Sequence, residues 1–349
     1  MKIDATVADQ LIEYPTDLKL LNQARLESER IMDLLYKRSD RKVKPRSYRR
    51  IARKQYLALA KQRRKSRRVL RKGIGQQLRY LSRNIQTLST LLDELPAQPS
   101  PLKFRDLKIF WVIQLLYDQQ TYMHQHRLRS HSDRIVNIYQ PYVRPIPRGK
   151  DKGKTEFGAK LGVSEFDGFC RMNRLSWNAY NECNDLIGQA EDYRALYGYY
   201  PEIILTDRIY LTRANRAWMK SKGIRHIGQP LGRPKPLSLY FKRKRRKERN
   251  MRNHIEGKFG QGKNAYGLTR IRARRNDTSE SWIAAIFFVI NLRRWLKILP
   301  DITIQQPFLT FFLFLVSFDL DHKNGMERDT SKKTNTSKTD LPETWDLAA

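Results

Sequence analysis

The chain has 349 residues and a formal charge of +34, from 69 lysines and arginines against 35 acids. Hydrophobic residues make up 40% and aromatics 11%, too many for a disordered basic tail. That length suits one elaborated core or two modules. The charge points to a polyanion as partner, nucleic acid ahead of an anionic membrane surface.

The first ten residues, MKIDATVADQ, include Asp4 and Asp9 and no apolar run, which excludes a secretory signal. Lys2 to Val7 alternates polar and apolar side chains and predicts a short strand. Tyr14-Pro15-Thr16-Asp17 is a turn, with Thr16 or Asp17 able to cap the next element. From there to about residue 127 the pattern is helical. Leu21, Ala24, Ser28, Ile31 and Leu35 form one helical stripe, and Pro45 interrupts it. Leu70, Ile74, Leu78, Leu81, Ile85, Leu88 and Leu92 form another, with Gly73 and Gly75 marking a break into two helices. Pro96, Pro99 and Pro101 make a linker, and Phe104, Leu107, Trp111 and Leu115 begin a further stripe. Between Lys37 and Arg83 stand 20 lysines and arginines against the single acid Asp40, +19 of the total. Solvated helical faces usually mix signs. This one does not, so Arg63, Arg64, Arg67 and Arg68 are expected on a surface that follows a phosphate backbone.

Near residue 132 the period changes. Arg134 to Tyr139 predicts a strand, Pro141 to Lys154 an irregular loop, and Glu156 to Val163 a second strand. Asn181 to Tyr197 is ambiguous but compatible with helix. Glu202 to Asp207 predicts a buried strand with a carboxylate at its tip. Ala214 to Ser221 reads as helix, Ile224 to Ile227 as strand, and Arg243 to Phe259 as a basic helix. Asp277 with Glu280 is a capping box that opens an apolar helix, Trp282 to Leu299. The longest apolar run, Pro307 to Phe318, has 12 residues, short of the roughly 20 that span a bilayer, so no membrane partner is expected. Residues 319–349 are polar and predicted disordered. Cys170 and Cys183 form no CxxC pair, and His124 and His126 stand at i and i+2, so neither a disulfide scaffold nor a zinc site is supported. The order predicts an α/β protein. Residues 1–16 and 131–300 form its core, and 17–130 are a long all-helical insertion after the first strand. Residues 301–349 are an apolar segment and a tail.

Asp4 and Asp207 fall at the ends of predicted strands, and Glu256 on the basic helix. A single aspartate is most often a surface or capping residue. Three carboxylates that converge repel one another and stay ionised only with cations between them. Hard oxygen ligands favour Mg²⁺ or Mn²⁺, and a pair of such ions roughly 4 Å apart makes an in-line phosphoryl-transfer site. Arg252 and Glu256 are i and i+4 on one face. Lys263 shares it only if the helix continues, and Gly260 and Gly262 favour a turn instead. Lys242, Arg243, Lys244, Arg245, Arg246 and Lys247 add to the basic field upstream.

Arg252, Glu256 and Lys263 make R-x3-E-x6-K, the spacing around the third acid in bacterial insertion-sequence transposases of the DDE type. The chain resembles the insertion sequence five family, in the lineage with a helical insertion after the first strand. Other resembling segments are Ile3 to Ala8, Tyr14 to Asp17, Phe157 to Lys160, Leu205 to Tyr210 and Leu231 to Lys235, so the likeness spans roughly residues 1 to 300. It implies an RNase H-like mixed sheet flanked by helices. Asp4, Asp207 and Glu256 would be its catalytic, metal-binding acids. Arg252 and Lys263 would contact DNA at the transposon end, and Mg²⁺ or Mn²⁺ would be the cofactor. Its partners would be transposon-end and target DNA, bound by a homodimer, in a bacterial cytoplasm and at the nucleoid. Arg249 stands where related patterns have a tyrosine, and Ile209 where many have a glycine. Asp4 lies close to the first residue, which motivates the expectation of a truncated or internally started copy, able to bind DNA but inactive in transposition. Two other readings stay open: a nuclease on the same fold that cuts without joining, and a basic DNA-binding protein whose acids are incidental.

Overall fold

The structure, a computed structural model, describes residues 1–96, 99–147, 155–228, 232 and 238–299. Met1–Arg294 is one compact unit; a second, Trp295–Ala349, is described only at residues 295–299. Residues 148–154 of the predicted loop, most of Leu231 to Lys235, and everything from residue 300 on lie outside the described residues.

Strand β1 is Lys2–Asp9. Four helices come after it: α1 (Asp17–Tyr36), α2 (Arg49–Ala60), α3 (Arg67–Asp93) and α4 (Phe104–Gln125). Thr16, not Asp17, caps α1: its Oγ1 accepts the Lys19 N–H at 3.3 Å. Asp17 instead pairs with Arg134. Both predicted leucine stripes point inward. Leu21, Ile31 and Leu35 of α1 meet Leu81, Leu88 and Leu91 of α3, and Ile113 and Leu116 of α4. The break expected at Gly73 and Gly75 does not occur; α3 runs through both. Packing explains these glycines. A Cβ on Gly73 would stand 2.0 Å from Leu59 Cδ1 of α2, and one on Gly75 would stand 3.1 Å from the His124 ring.

The strand expected over Arg134 to Tyr139 is absent. Ile135 and Ile138, of opposite strand parity, both plug into the helical cluster, and the Ile135 N–H is taken by Gln119 Oε1 at 3.0 Å. A short strand, β2 (Arg144–Ile146), lies instead in the proline stretch that read as loop. It pairs at the edge of the sheet, where proline's missing donor is tolerated. β3 (Glu156–Phe166) is the central strand, antiparallel to β1, β2 and β4 (Phe169–Ser176). Asp167 and Gly168 turn β3 into β4, both left-handed at φ 49° and 86°. That is the Asp-Gly hairpin signature. Gly158 sits where β1 comes closest. A Cβ there would meet the Ala8 carbonyl oxygen at 1.9 Å, so only glycine fits without backbone movement.

The ambiguous stretch forms a 3₁₀ turn, Glu182–Asn184, and α5 (Asp185–Tyr197). β5 (Ile203–Ile204), α6 (Arg213–Ser221) and β6 (Arg225–His226) come next, with β5 and β6 parallel. The Ile3 N–H donates to the Leu205 carbonyl and the Leu205 N–H to the Met1 carbonyl, each at 3.0 Å, so β5 runs parallel beside β1. The resulting spatial order is β4-β3-β1-β5-β6. α7 (Leu239–Ala265) and α8 (Asn276–Ile298) complete the described fold. The expected capping box is not made: Asp277 lies inside α8 and pairs with Arg275, while Glu280 accepts from Trp177 Nε1.

Period-2 alternation puts the two faces of β1 against different helices. Ile3 packs with Leu186 and Ala190 of α5, and Ala8 with Ile255 and Phe259 of α7 and Ile283 of α8. No helix of the described residues is long and apolar enough to cross a membrane.

Candidate active site

Asp4 has the parity of Ala8, so it points toward α7. It lies inside β1 rather than at the strand end expected. Its cross-strand partner is Val163, where β3 and β4 slip register with Asn173 as the extra residue. Such bulges increase local twist and re-aim side chains. Asp207 lies three residues beyond β5, at the start of a 3₁₀ turn, Arg208–Tyr210, which its side chain does not cap. Its carboxylate is therefore free to face elsewhere.

α7 buries Ile255, Phe259 and Gly262. Extended one turn back, that 3-4-3 stripe begins at Arg252, which explains why a guanidinium sits mostly buried against the sheet. Glu256 is one residue off the stripe and half exposed. The helix continues through Gly260 and Gly262, so Lys263 is helical rather than in a turn.

The three predicted acids converge on Arg252. Its Nη1 lies 2.8 Å from Asp207 Oδ1 and 3.6 Å from Asp4 Oδ2, and its Nη2 lies 2.5 Å from Glu256 Oε1. Asp4 and Arg252 have side chains 15% and 13% exposed, against 56% and 52% for Asp207 and Glu256, so the cluster is buried on one side and open on the other. The second Asp4 oxygen, Oδ1, accepts the Ala5 N–H at 2.8 Å. Burial pushes the Asp4 pKa up to about 6. Asp207 and Glu182 push the same way, and the Ala5 N–H and Arg252 oppose them. Arg252 Nη1 is buried without a well-aligned hydrogen bond despite its two acidic neighbours. Tyr210, fully buried nearby, has its phenol held up by burial first and by Glu182 and Asp4 next.

Three carboxylates around one cation form an all-oxygen donor set, which suits a hard divalent ion. Among the described residues, no three His, Cys, Asp or Glu side chains stand ready to hold a metal. Here the guanidinium occupies the acids' common position. The chemistry of the donors fits Mg²⁺ or Mn²⁺; their present occupant is Arg252.

The predicted DNA contacts divide into groups. Lys242, Arg243 and Arg246 are exposed on the first turns of α7, and Arg245 is half-buried beside His226. Arg63 and Arg64 lie exposed between α2 and α3, and Arg67 and Arg68 in the first turn of α3. Lys263 is less available: its Nζ lies 3.4 Å from Glu156 Oε1. Glu156 is 107 residues away in sequence, so no local spacing signals the pair. The same holds for Arg252, whose spacing to Glu256 was legible but whose contacts with Asp4 and Asp207 were not. A cavity of about 770 Å³ lies elsewhere, lined by residues such as Gln23, Glu27, Arg30, Tyr139 and Arg274, and contains none of the predicted site residues.

The fold and site together define an α/β protein with an acid cluster beside a strongly basic helix. The family model described as transposase DDE domain matches residues 204–293. That stretch runs from β5 into α8 and contains Asp207, Arg252, Glu256 and Lys263, while Asp4 lies outside it. The match supports a DDE transposase, a class of enzyme that acts on DNA. No curated protein and no solved structure matches the chain.

Proposed function

We propose that the chain is a DNA transposase of the DDE type that cleaves at transposon ends and transfers the strand to target DNA. The observation that carries this reading is the convergence of Asp4, Asp207 and Glu256, from β1, the end of β5 and α7, on one point. In the same reading residues 1–16 and 131–300 are an RNase H-like core, favoured by the strand order β4-β3-β1-β5-β6. Residues 17–130 are the basic insertion, a role favoured by four helices that come after the first strand, of which α1, α3 and α4 share a core of their own.

Asp4, Asp207 and Glu256 would hold Mg²⁺ or Mn²⁺. A divalent ion there supplies Lewis-acid activation of water and of the leaving oxygen. The chain's own residues do the rest. Burial of Asp4 under β3 and α7 fixes one carboxylate rigidly, while exposed Asp207 and Glu256 leave the outer side open to a phosphodiester. Lys242, Arg243 and Arg246 bind the backbone on the approach and set its register without reading sequence. Hydrolysis at the element end frees a 3′-OH, and that hydroxyl attacks target DNA. Both steps are direct displacements, so no serine or tyrosine nucleophile is required. Pairing two ends calls for two copies on DNA.

The test uses the full chain, Mg²⁺ and a pre-cut duplex taken from the DNA flanking its own reading frame. Joined product, lost in Asp207→Ala and Glu256→Ala while DNA binding persists, is expected. Cutting without joining would make the protein a nuclease. Binding without either reaction, unaffected by the two substitutions, would make the acids incidental.

A further inference from the structure

We propose that Arg252 keeps the acid cluster closed to divalent cations until DNA draws its guanidinium away. The inference rests on the transposase reading and adds a regulation of the same site. Arg252 engages one oxygen from each acid: Asp4 Oδ2, Asp207 Oδ1 and Glu256 Oε1. The remaining Asp4 oxygen is already taken by the Ala5 N–H. The guanidinium therefore fills the acids' common position, and a metal bridging them has no room while Arg252 stays where it is.

Charge and geometry point the same way. A guanidinium carries one positive charge against three carboxylates, so the cluster stays under-compensated and attracts a cation of higher charge. The two cations compete for the same position among the acids. Arg252 Nη2 donates to Glu256, but Nη1 is buried without a well-aligned hydrogen bond, so the hold on Asp4 and Asp207 is electrostatic rather than geometrically satisfied. Asp207 and Glu256 are about half exposed, so the guanidinium has an open side toward which to move. A phosphodiester is the natural alternative acceptor, since arginine matches its planar, bidentate geometry. Arg252 stands on the helix that carries the basic run Lys242 to Lys247, which would bring a DNA backbone to it. Metal loading is thereby coupled to DNA binding, and by linkage each strengthens the other.

The experiment titrates Mn²⁺ into chelator-stripped full-length protein and reads free Mn²⁺ by electron paramagnetic resonance, with and without duplex DNA. Mn²⁺ held by the duplex alone is subtracted. Arg252→Gln is expected to bind Mn²⁺ at least about tenfold more tightly than wild type without DNA, within the range of common coupling energies. DNA is expected to tighten Mn²⁺ binding to wild type by a similar factor and to Arg252→Gln by little. Arg252→Lys keeps the charge but cannot bridge all three acids, and falls between them. It also serves if Arg252→Gln fails to fold, as judged by its melting curve. Equal or weaker Mn²⁺ binding by the arginine variants, or an equal DNA effect in wild type and variant, would overturn the gate. Asp207→Asn and Glu256→Gln test the site itself. If neither weakens Mn²⁺ binding, the acids are not the metal site and the underlying reading fails instead.

Discussion

Burial of Asp4 between β3 and α7, with Asp207 and Glu182 nearby, lifts its pKa to about 6, above the roughly 3.9 of an unfolded aspartate. The folded state therefore binds this proton more tightly than the unfolded state. Its contribution to stability falls as pH rises from about 4 to about 6 and is flat above that. The cost of holding Asp4 ionised is on the order of 3 kcal/mol. In metal-free protein, Asp4→Asn should be more stable than wild type at pH 7 and nearly equal to it near pH 4. Urea melts across that range measure the gap, and parallel curves would show that Asp4 is not strained. The position of Asp4 was legible because a short acid-bearing strand and a partner motif around Glu256 could both be read locally. Its burial was not, because that depends on α7, whose contact with Asp4 comes from Arg252, 248 residues away.

Among the elements, the helices were the most legible. Apolar stripes with a 3-4 period make a helix whatever surrounds it, and α1 and α3 appear where those stripes lie. The strands were less so. β4 was missed because Cys170, Met172 and Leu175 step by two and then by three, the bulge at Asn173 having broken the alternation. The reverse error arose at Arg134 to Tyr139, a loop that packs Ile135 and Ile138, three residues apart, into the helical block. That block makes its own prediction. α3 begins with Arg67 and Arg68 and has no acid in its first turn, an arrangement opposed by the helix dipole. A bound phosphate offsets that opposition. Replacing Arg63, Arg64, Arg67 and Arg68 with alanine should weaken DNA binding uniformly across sequences. It should also lower the slope of log affinity against log salt by about 3 to 4 if each arginine meets one phosphate. An unchanged slope would remove this surface from the interface.

Over the whole molecule, the +34 charge separates into parts with different work to do. The larger part surrounds α2 and the start of α3, away from the acids in sequence, and can hold DNA without chemistry. A smaller part lines α7 and leads toward Asp4, Asp207 and Glu256. Composition announced a polyanion but not this division. Nor could spacing reveal that an arginine would stand among the three acids, since that depends on β1, β5 and α7 meeting. The most direct test of the account is cleavage of a supercoiled plasmid carrying the reading frame with its own flanking DNA. Wild type, Asp4→Asn, Asp207→Asn and Glu256→Gln would be compared in Mg²⁺ and in chelator, with DNA binding measured alongside. The account predicts cleavage by wild type only with the divalent ion, and loss of at least about 100-fold in each variant at undiminished DNA binding. Cleavage that persists in chelator, or in any one of the three variants at the wild-type rate, would contradict it.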